Sequence, residues 1–204
     1  MDDPRGRLFG MGGSSISALR RGAALAVMAL AVSAIWATPA EAADRYLFDR
    51  IHSDLSNDIL DGIVPVINDF GSSPYVIGAV LLTTVLGAEK MRDTGLLVGA
   101  GFAASSLTTL ALKRAIGRPR PLNPEDTRSM PSGHATVAFS AATALAHRYP
   151  RWRLAFYTVA GGVAFARVYL GRHYPSDVLV GAAVGVGVTR LVLRRERGIL
   201  SIRF

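Results

Sequence analysis

Residues 94–112 read TGLLVGAGFAASSLTTLAL, nineteen positions without a charge. Wound as an α-helix at 1.5 Å per residue, the run is about 28 Å long, close to the ~30 Å hydrocarbon core of a bilayer. Working outward, residues 70–88 (FGSSPYVIGAVLLTTVLGA) form a second uncharged run of nineteen. Residues 135–146, 154–166 and 178–189 are shorter runs of 12 or 13 without a charge. Alone, such runs suit buried core helices as well as spans. Flanking Tyr, Trp, His and snorkelling Arg lengthen each of them. Gly161, Gly162, Gly181, Gly185 and Gly187 supply the small surfaces that let membrane helices approach closely. The expected fold is all-α: an integral membrane bundle of five or six transmembrane helices, with one amphipathic interfacial helix.

Composition agrees. The 204 residues are 50% hydrophobic and only 19% charged, with mean hydropathy +0.30, against roughly 25% charged in an ordinary soluble domain. That excludes a disordered chain, a coiled coil and a nucleic-acid-binding tail. The absence of Cys excludes disulfides, Cys-ligated zinc, iron–sulfur clusters and a thiol nucleophile. A net charge of +8 on so apolar a chain points to a membrane surface or an anionic substrate before nucleic acid.

Four segments are expected. Residues 1–42 read as a signal peptide or N-terminal membrane anchor: Arg20 and Arg21, an apolar run over 22–37, then Ala40-Glu41-Ala42 as a cleavage pattern. Residues 43–69 are an amphipathic segment on the periplasmic side. Within them, Leu47, Ile51, Leu55, Ile59, Ile63 and Ile67 recur at helical spacing over 46–67, and Asp54, Asp58 and Asp61 form a solvated face rather than a metal site. Residues 70–193 are the transmembrane domain, and 194–204 a basic cytoplasmic tail. If every run spans, Arg20, Arg21, Lys90, Arg92, Arg148, Arg151, Arg153, Arg194 and Arg195 share one side, cytoplasmic by the positive-inside rule. Residues 113–134 and 167–177 then meet on the outer face. They too are basic, against that rule, which marks them for function.

Three clusters there carry chemistry. In Lys113-Arg114-Ala115-Ile116-Gly117-Arg118-Pro119-Arg120-Pro121, the Gly and Pro residues end a helix, so Arg118 and Arg120 sit on extended backbone and point in different directions. At most one of them joins Lys113. In Ser129-Met130-Pro131-Ser132-Gly133-His134, Ser132 caps a helix whose free N–H groups favour an anion, and Gly133 lets a bound group approach the backbone. His134 then stands beside that anion, placed to give or take a proton. In the third, Pro175-Ser176-Asp177 starts the last helix, and His173 lies four residues before Asp177. Asp177 can accept from one ring nitrogen and raise the basicity of the other. Arg167 adds a forked donor suited to phosphate oxygens. Taken singly, the first cluster also reads as interfacial anchoring, the second as a capped helix with an interfacial histidine, and the third as an ordinary helix-start ion pair.

Together they resemble the type 2 phosphatidic acid phosphatase superfamily, whose signature is Lys-x6-Arg-Pro, Pro-Ser-Gly-His and Ser-Arg-x5-His-x3-Asp. The matches are Lys113, Arg120 and Pro121; Pro131, Ser132, Gly133 and His134; Arg167, His173 and Asp177. Ala166 stands where the family has Ser. The resemblance covers roughly 70–190 and implies a metal-free and cofactor-free phosphomonoester or pyrophosphate hydrolase. His173 would attack phosphorus to give a phosphohistidine, and Asp177 would orient it. His134 would protonate the leaving oxygen and then activate water. Lys113, Arg120, Ser132, Gly133 and Arg167 would hold the phosphoryl oxygens. The sequence around Arg167 is most similar to bacterial undecaprenyl-pyrophosphate phosphatases. The implied partners are a lipid phosphate substrate and membrane lipids, with no nucleic acid. The implied location is a bacterial inner membrane, with the site facing the periplasm or exterior. A soluble secreted phosphatase, a lipid phosphotransferase and a vanadium haloperoxidase share the signature.

Overall fold

The computed structural model describes residues 38–200, with side chains for 41–69 and 71–194. The expected leader, 1–42, lies almost wholly outside the described residues, as do the last four positions of the basic tail. Everything that positions the site belongs to the unit that begins at Asp44.

Every regular element among the described residues is a helix. Helix α1 (Thr38–Asp49) continues through a π-helical turn, Arg50–Asp54. Then come α2 (Asp58–Phe70), α3 (Ser73–Leu86), α4 (Glu89–Ile116), α5 (Gly133–Arg148), α6 (Arg153–Tyr169) and α7 (Pro175–Leu200). Helix α5 is central and packs on α4, α6 and α7. Helix α4, with the segment Glu89–Ile116, and α7, through Pro175–Arg194, are long and apolar enough to cross a membrane. The α2–α3 pair becomes a third candidate if its 49° bend is counted within one span.

The single helix expected over 46–67 is two. Asn57 takes extended backbone, and its side chain accepts from the N–H groups of Ile59 and Leu60. This cap stops one helix and starts the next. The expected span over 70–88 is likewise shortened to fourteen residues, because Gly71 caps α2 and Pro74 begins α3.

Large apolar side chains cover the outside of the bundle, and small hydroxyl residues share its interior with the apolar core. Leu81, Leu82, Val85, Leu86, Leu96, Leu107, Leu154, Leu179 and Leu191 are exposed, whereas Ser105, Thr109, Thr136, Ser140, Thr143 and Thr189 are buried. The buried hydroxyls bond between helices: Thr109 to Thr136 at 3.1 Å and Ser140 to Thr189 at 2.8 Å. Small polar residues between helices and large apolar ones outside are the pattern a lipid solvent selects. Two glycines of α7 permit the closest approach. A Cβ on Gly181 would lie 2.6 Å from the Ser132 carbonyl oxygen, and one on Gly185 2.4 Å from that of Thr136. Gly161 and Gly187, read from sequence as packing positions, border open space.

Candidate active site

Three chain breaks at one end of the bundle build the site. Helix α4 ends at Gly117, whose φ of 64° is a left-handed cap that donates to the Lys113 carbonyl. The chain leaves extended through Arg118-Pro119-Arg120-Pro121. Helix α6 ends near Gly171, with φ 67°, and the Arg172 and His173 N–H groups both turn back to the Arg167 carbonyl, at 3.0 and 3.2 Å. Pro175 then opens α7. Asp177, at its third position, reaches back to accept from the Tyr174 N–H at 2.9 Å, the back-reaching half of a capping box, which fixes the carboxylate beside His173.

His173 and Asp177 are buried, at 2% and 0% exposure. His173 Nδ1 lies 3.6 Å from Asp177 Oδ2, too far for a good hydrogen bond. The Ser129 hydroxyl lies beside both, 2.5 Å from Asp177 Oδ2 and 3.4 Å from His173 Nδ1. The Nε2 side of His173 has no hydrogen-bond partner among the described residues. Burial pushes the His173 imidazole down to about 4, against the upward pull of Asp177 and with Arg167 and Lys113 adding repulsion. The ring is therefore neutral, with a free lone pair, at ordinary pH.

His134, in the first turn of α5, is half-buried and hydrogen-bonds to nothing among the described residues. It lies within Coulombic range of Arg167, His173 and Arg120. Arg167 donates from Nη1 to Asn68 at 2.7 Å, while its Nε is buried and unpaired. Arg120 lies 2.9 Å through its Nε from Asp126, without hydrogen-bond alignment. Lys113 gives its Nζ to the carbonyls of Arg128 and Ser129, leaving a third proton to donate. Ser132 accepts from the Ala135 N–H at 3.5 Å, so it caps α5. A Cβ on Gly133 would meet nothing within 4 Å, so open space adjoins this helix N-terminus, where an anion is favoured.

The eight residues singled out from sequence thus lie at one end of the bundle. Arg118 diverges from Arg120, as alternate residues on extended backbone must. Three further residues enter the site that sequence reasoning gave no role: Ser129, Asn68 and Asp126. Ser129 lay within a quoted motif. Asn68 and Asp126 carried no local signal.

A bundle with this site defines a recognisable family. The model of the PAP2 superfamily matches residues 94–198, half of the chain, and the chain belongs to that superfamily. It is 37% identical over 123 residues to the lipid A 1-phosphatase of Rhizobium etli, covering 53% of this chain and 46% of that protein. It is also 37% identical over 123 residues to the decaprenylphosphoryl-5-phosphoribose phosphatase of Mycobacterium tuberculosis, covering 55% of this chain and 68% of that one. In structure it resembles a transmembrane PAP2-type phosphatidylglycerolphosphate phosphatase from Bacillus subtilis, with TM-score 0.73, 25% identity, and 86% and 94% of the two chains covered. The chain spans less than half the length of the lipid A 1-phosphatases it matches.

Proposed function

We propose that the protein is a membrane phosphatase that hydrolyses phosphate or pyrophosphate monoesters of lipids, of the undecaprenyl pyrophosphate or phosphatidic acid type. Its site would face the periplasm from a bacterial inner membrane, in a bundle of five or six spans. The His173 Nε2 lone pair attacks phosphorus as the bond to the leaving oxygen breaks, and His134 protonates that oxygen. His134 then takes a proton from water, whose oxygen displaces His173 and releases phosphate. Transferred phosphoryl groups spread negative charge over three oxygens, so positioning and electrostatics do most of the work. Lys113, Arg120 and Arg167 supply fixed positive charge, with the α5 N-terminus at Ser132 and Gly133, which is why the reading needs no metal.

One observation carries this reading. His173 is backed on one side by Ser129 and Asp177, is unpartnered on the other, and lies amid cations with a buried, unpaired guanidinium N–H. The apolar outer surface supports a lipid substrate, whose tails would stay in the bilayer with the phosphate at the depth of the site. The named substrates of the relatives are all phosphorylated lipids, of different headgroups. The test is phosphate release from a panel of lipid phosphates by purified protein in detergent, with and without chelator. Release by the native chain, its loss in His173→Ala and its survival of chelation are expected. A strict, restorable need for a divalent ion would overturn the metal-free mechanism.

A further inference from the structure

The matched family region begins at residue 94, yet a residue far upstream reaches the support of the catalytic pair. Asp44, 6% exposed, accepts from Arg118 Nη2 at 2.7 Å and from the Ser176 hydroxyl at 2.5 Å through Oδ2. Its Oδ1 accepts from the Ser176 N–H at 2.8 Å. Arg118, also buried, turns its other arm to Asp177 Oδ1 at 2.8 Å and to the Ser176 hydroxyl at 2.6 Å. Its guanidinium stacks 4.3 Å from the Tyr174 ring centre. Both oxygens of Asp177 are thus held: Oδ1 by Arg118, and Oδ2 by Ser129 and the Tyr174 N–H. Oδ2 is the atom nearest His173.

We propose that Asp44 and Arg118 are positioning residues for phosphoryl transfer: Arg118 fixes the Asp177 carboxylate behind His173, and Asp44 fixes Arg118. This rests on the reading of His173 as nucleophile. Charge gives Asp44 a second effect. Arg118 alone would neutralise Asp177, just where a ring becoming cationic on phosphorylation needs a negative neighbour. With Asp44 on its far side, one cation lies between two carboxylates and the trio keeps a net charge of −1. Stability does not account for the arrangement, because desolvating three ions costs several kcal/mol each and apolar residues of the same volume often serve as well. Partners one step behind a metal-bound ligand typically change activity by about 10- to 100-fold, and the same scale is taken for a partner one step behind a nucleophile.

The test compares Asp44→Asn, Arg118→Ala, Arg118→Lys and the double variant Asp44→Asn/Arg118→Ala in detergent. Rapid-quench phosphoenzyme formation, KM, vanadate affinity and thermal unfolding are measured for each. Arg118→Ala should slow phosphorylation by about 10- to 100-fold with KM within about twofold, and affinity for vanadate, which mimics the group in transfer, should fall with the rate. Asp44→Asn should slow it less, and the double variant should be no slower than Arg118→Ala, because Asp44 acts through Arg118. Added guanidinium should restore part of the rate in Arg118→Ala and none in Asp44→Asn. Should Arg118→Ala not fold, Asp44→Asn, which keeps the shape and removes the charge, and Arg118→Lys, which keeps the charge and removes the fork, carry the same comparison. Folded variants with native phosphorylation rates, losses confined to KM, or losses that multiply in the double variant would overturn the proposal. A native chain that forms no phosphoenzyme would instead overturn the reading of His173.

Discussion

Acidification distinguishes a buried nucleophilic imidazole from an ordinary one. Burial holds the His173 imidazole at about 4, whereas histidine in water titrates near 6.5. At pH 5, an imidazole of pKa 6.5 is neutral in about 3% of molecules, and one of pKa 4 in about 90%. The population able to attack phosphorus therefore differs roughly thirty-fold. The assay is a 13Cε1 NMR titration of histidine-labelled protein in micelles, with the His173 signal assigned by its loss in His173→Asn. Alongside it, kcat/KM is measured and corrected for ionisation of the substrate, since that ratio reports the free enzyme. The His173 midpoint should lie near 4. In Asp177→Asn it should fall further, because the carboxylate that favours imidazolium is gone, so a drop in activity of that variant would not be a protonation effect. Linkage gives a second sign. The folded value lies below the unfolded one, so between pH 6.5 and 4 the unfolded chain binds more protons. Acidification through that window should cost stability, and His173 should contribute no pH dependence above it. A midpoint of 6 to 7, or a rise in Asp177→Asn, would refute the electrostatic account.

His173→Ala should abolish the acid-labile phosphoenzyme and reduce turnover by roughly 10⁴- to 10⁶-fold. His134→Ala should lose about 10²- to 10⁴-fold, and less with a good leaving group; an adduct mapped to His134 would reverse the two roles. Asn123 is exposed on the loop after α4 and Arg151 at the opposite turn. In intact cells, Asn123→Cys should react with an impermeant thiol reagent and Arg151→Cys only after lysis, while labelling at Arg151 from outside would invert the proposed topology. Gly185→Ala would put a Cβ 2.4 Å from the Thr136 carbonyl and 2.9 Å from the Ser140 N–H of α5. Overpacking of this kind costs about 1–3 kcal/mol, so thermal stability in detergent should fall, whereas Gly187→Ala, facing open space, should be neutral or slightly stabilising.

The bundle was legible where composition alone decides. An uncharged run such as 94–112 has one outcome in a chain this apolar, and α4 spans it whole. Legibility failed where a short polar signal divides an apolar pattern. The isoleucines and leucines over 46–67 keep helical spacing straight through Asn57, because periodicity records which face is apolar and says nothing of whether the backbone runs on. The signal for the break was present: an Asn followed by acidic Asp58 and Asp61 is a helix start. At 70–88, Gly71 and Pro74 likewise shorten a run whose lack of charge hides them. Asp61, read as part of a solvated face, accepts from the Tyr169 hydroxyl at 2.5 Å, which no property of its own helix could reveal.

The candidate site divides along the same line. Ser132, His134, His173 and Asp177 sit at helix starts, and helix starts are local: a cap and its partner lie within three residues, so spacing along the chain becomes proximity in space. Arg118 shows the limit of that rule. Extended backbone was enough to separate it from Arg120, but not to say what it pairs with. The answer is 74 residues away at Asp44 and 59 away at Asp177. A charge buried in a helical bundle must find an opposite charge wherever the fold brings one. The sequence therefore discloses the need for a partner, and only the packing of the turns around α7 discloses which carboxylate meets it. Asn68 on Arg167 and Asp44 on Ser176 follow the same logic across 99 and 132 residues. Both lie upstream of residue 94, where the family match begins, so the support of the site extends beyond the segment that its motifs define.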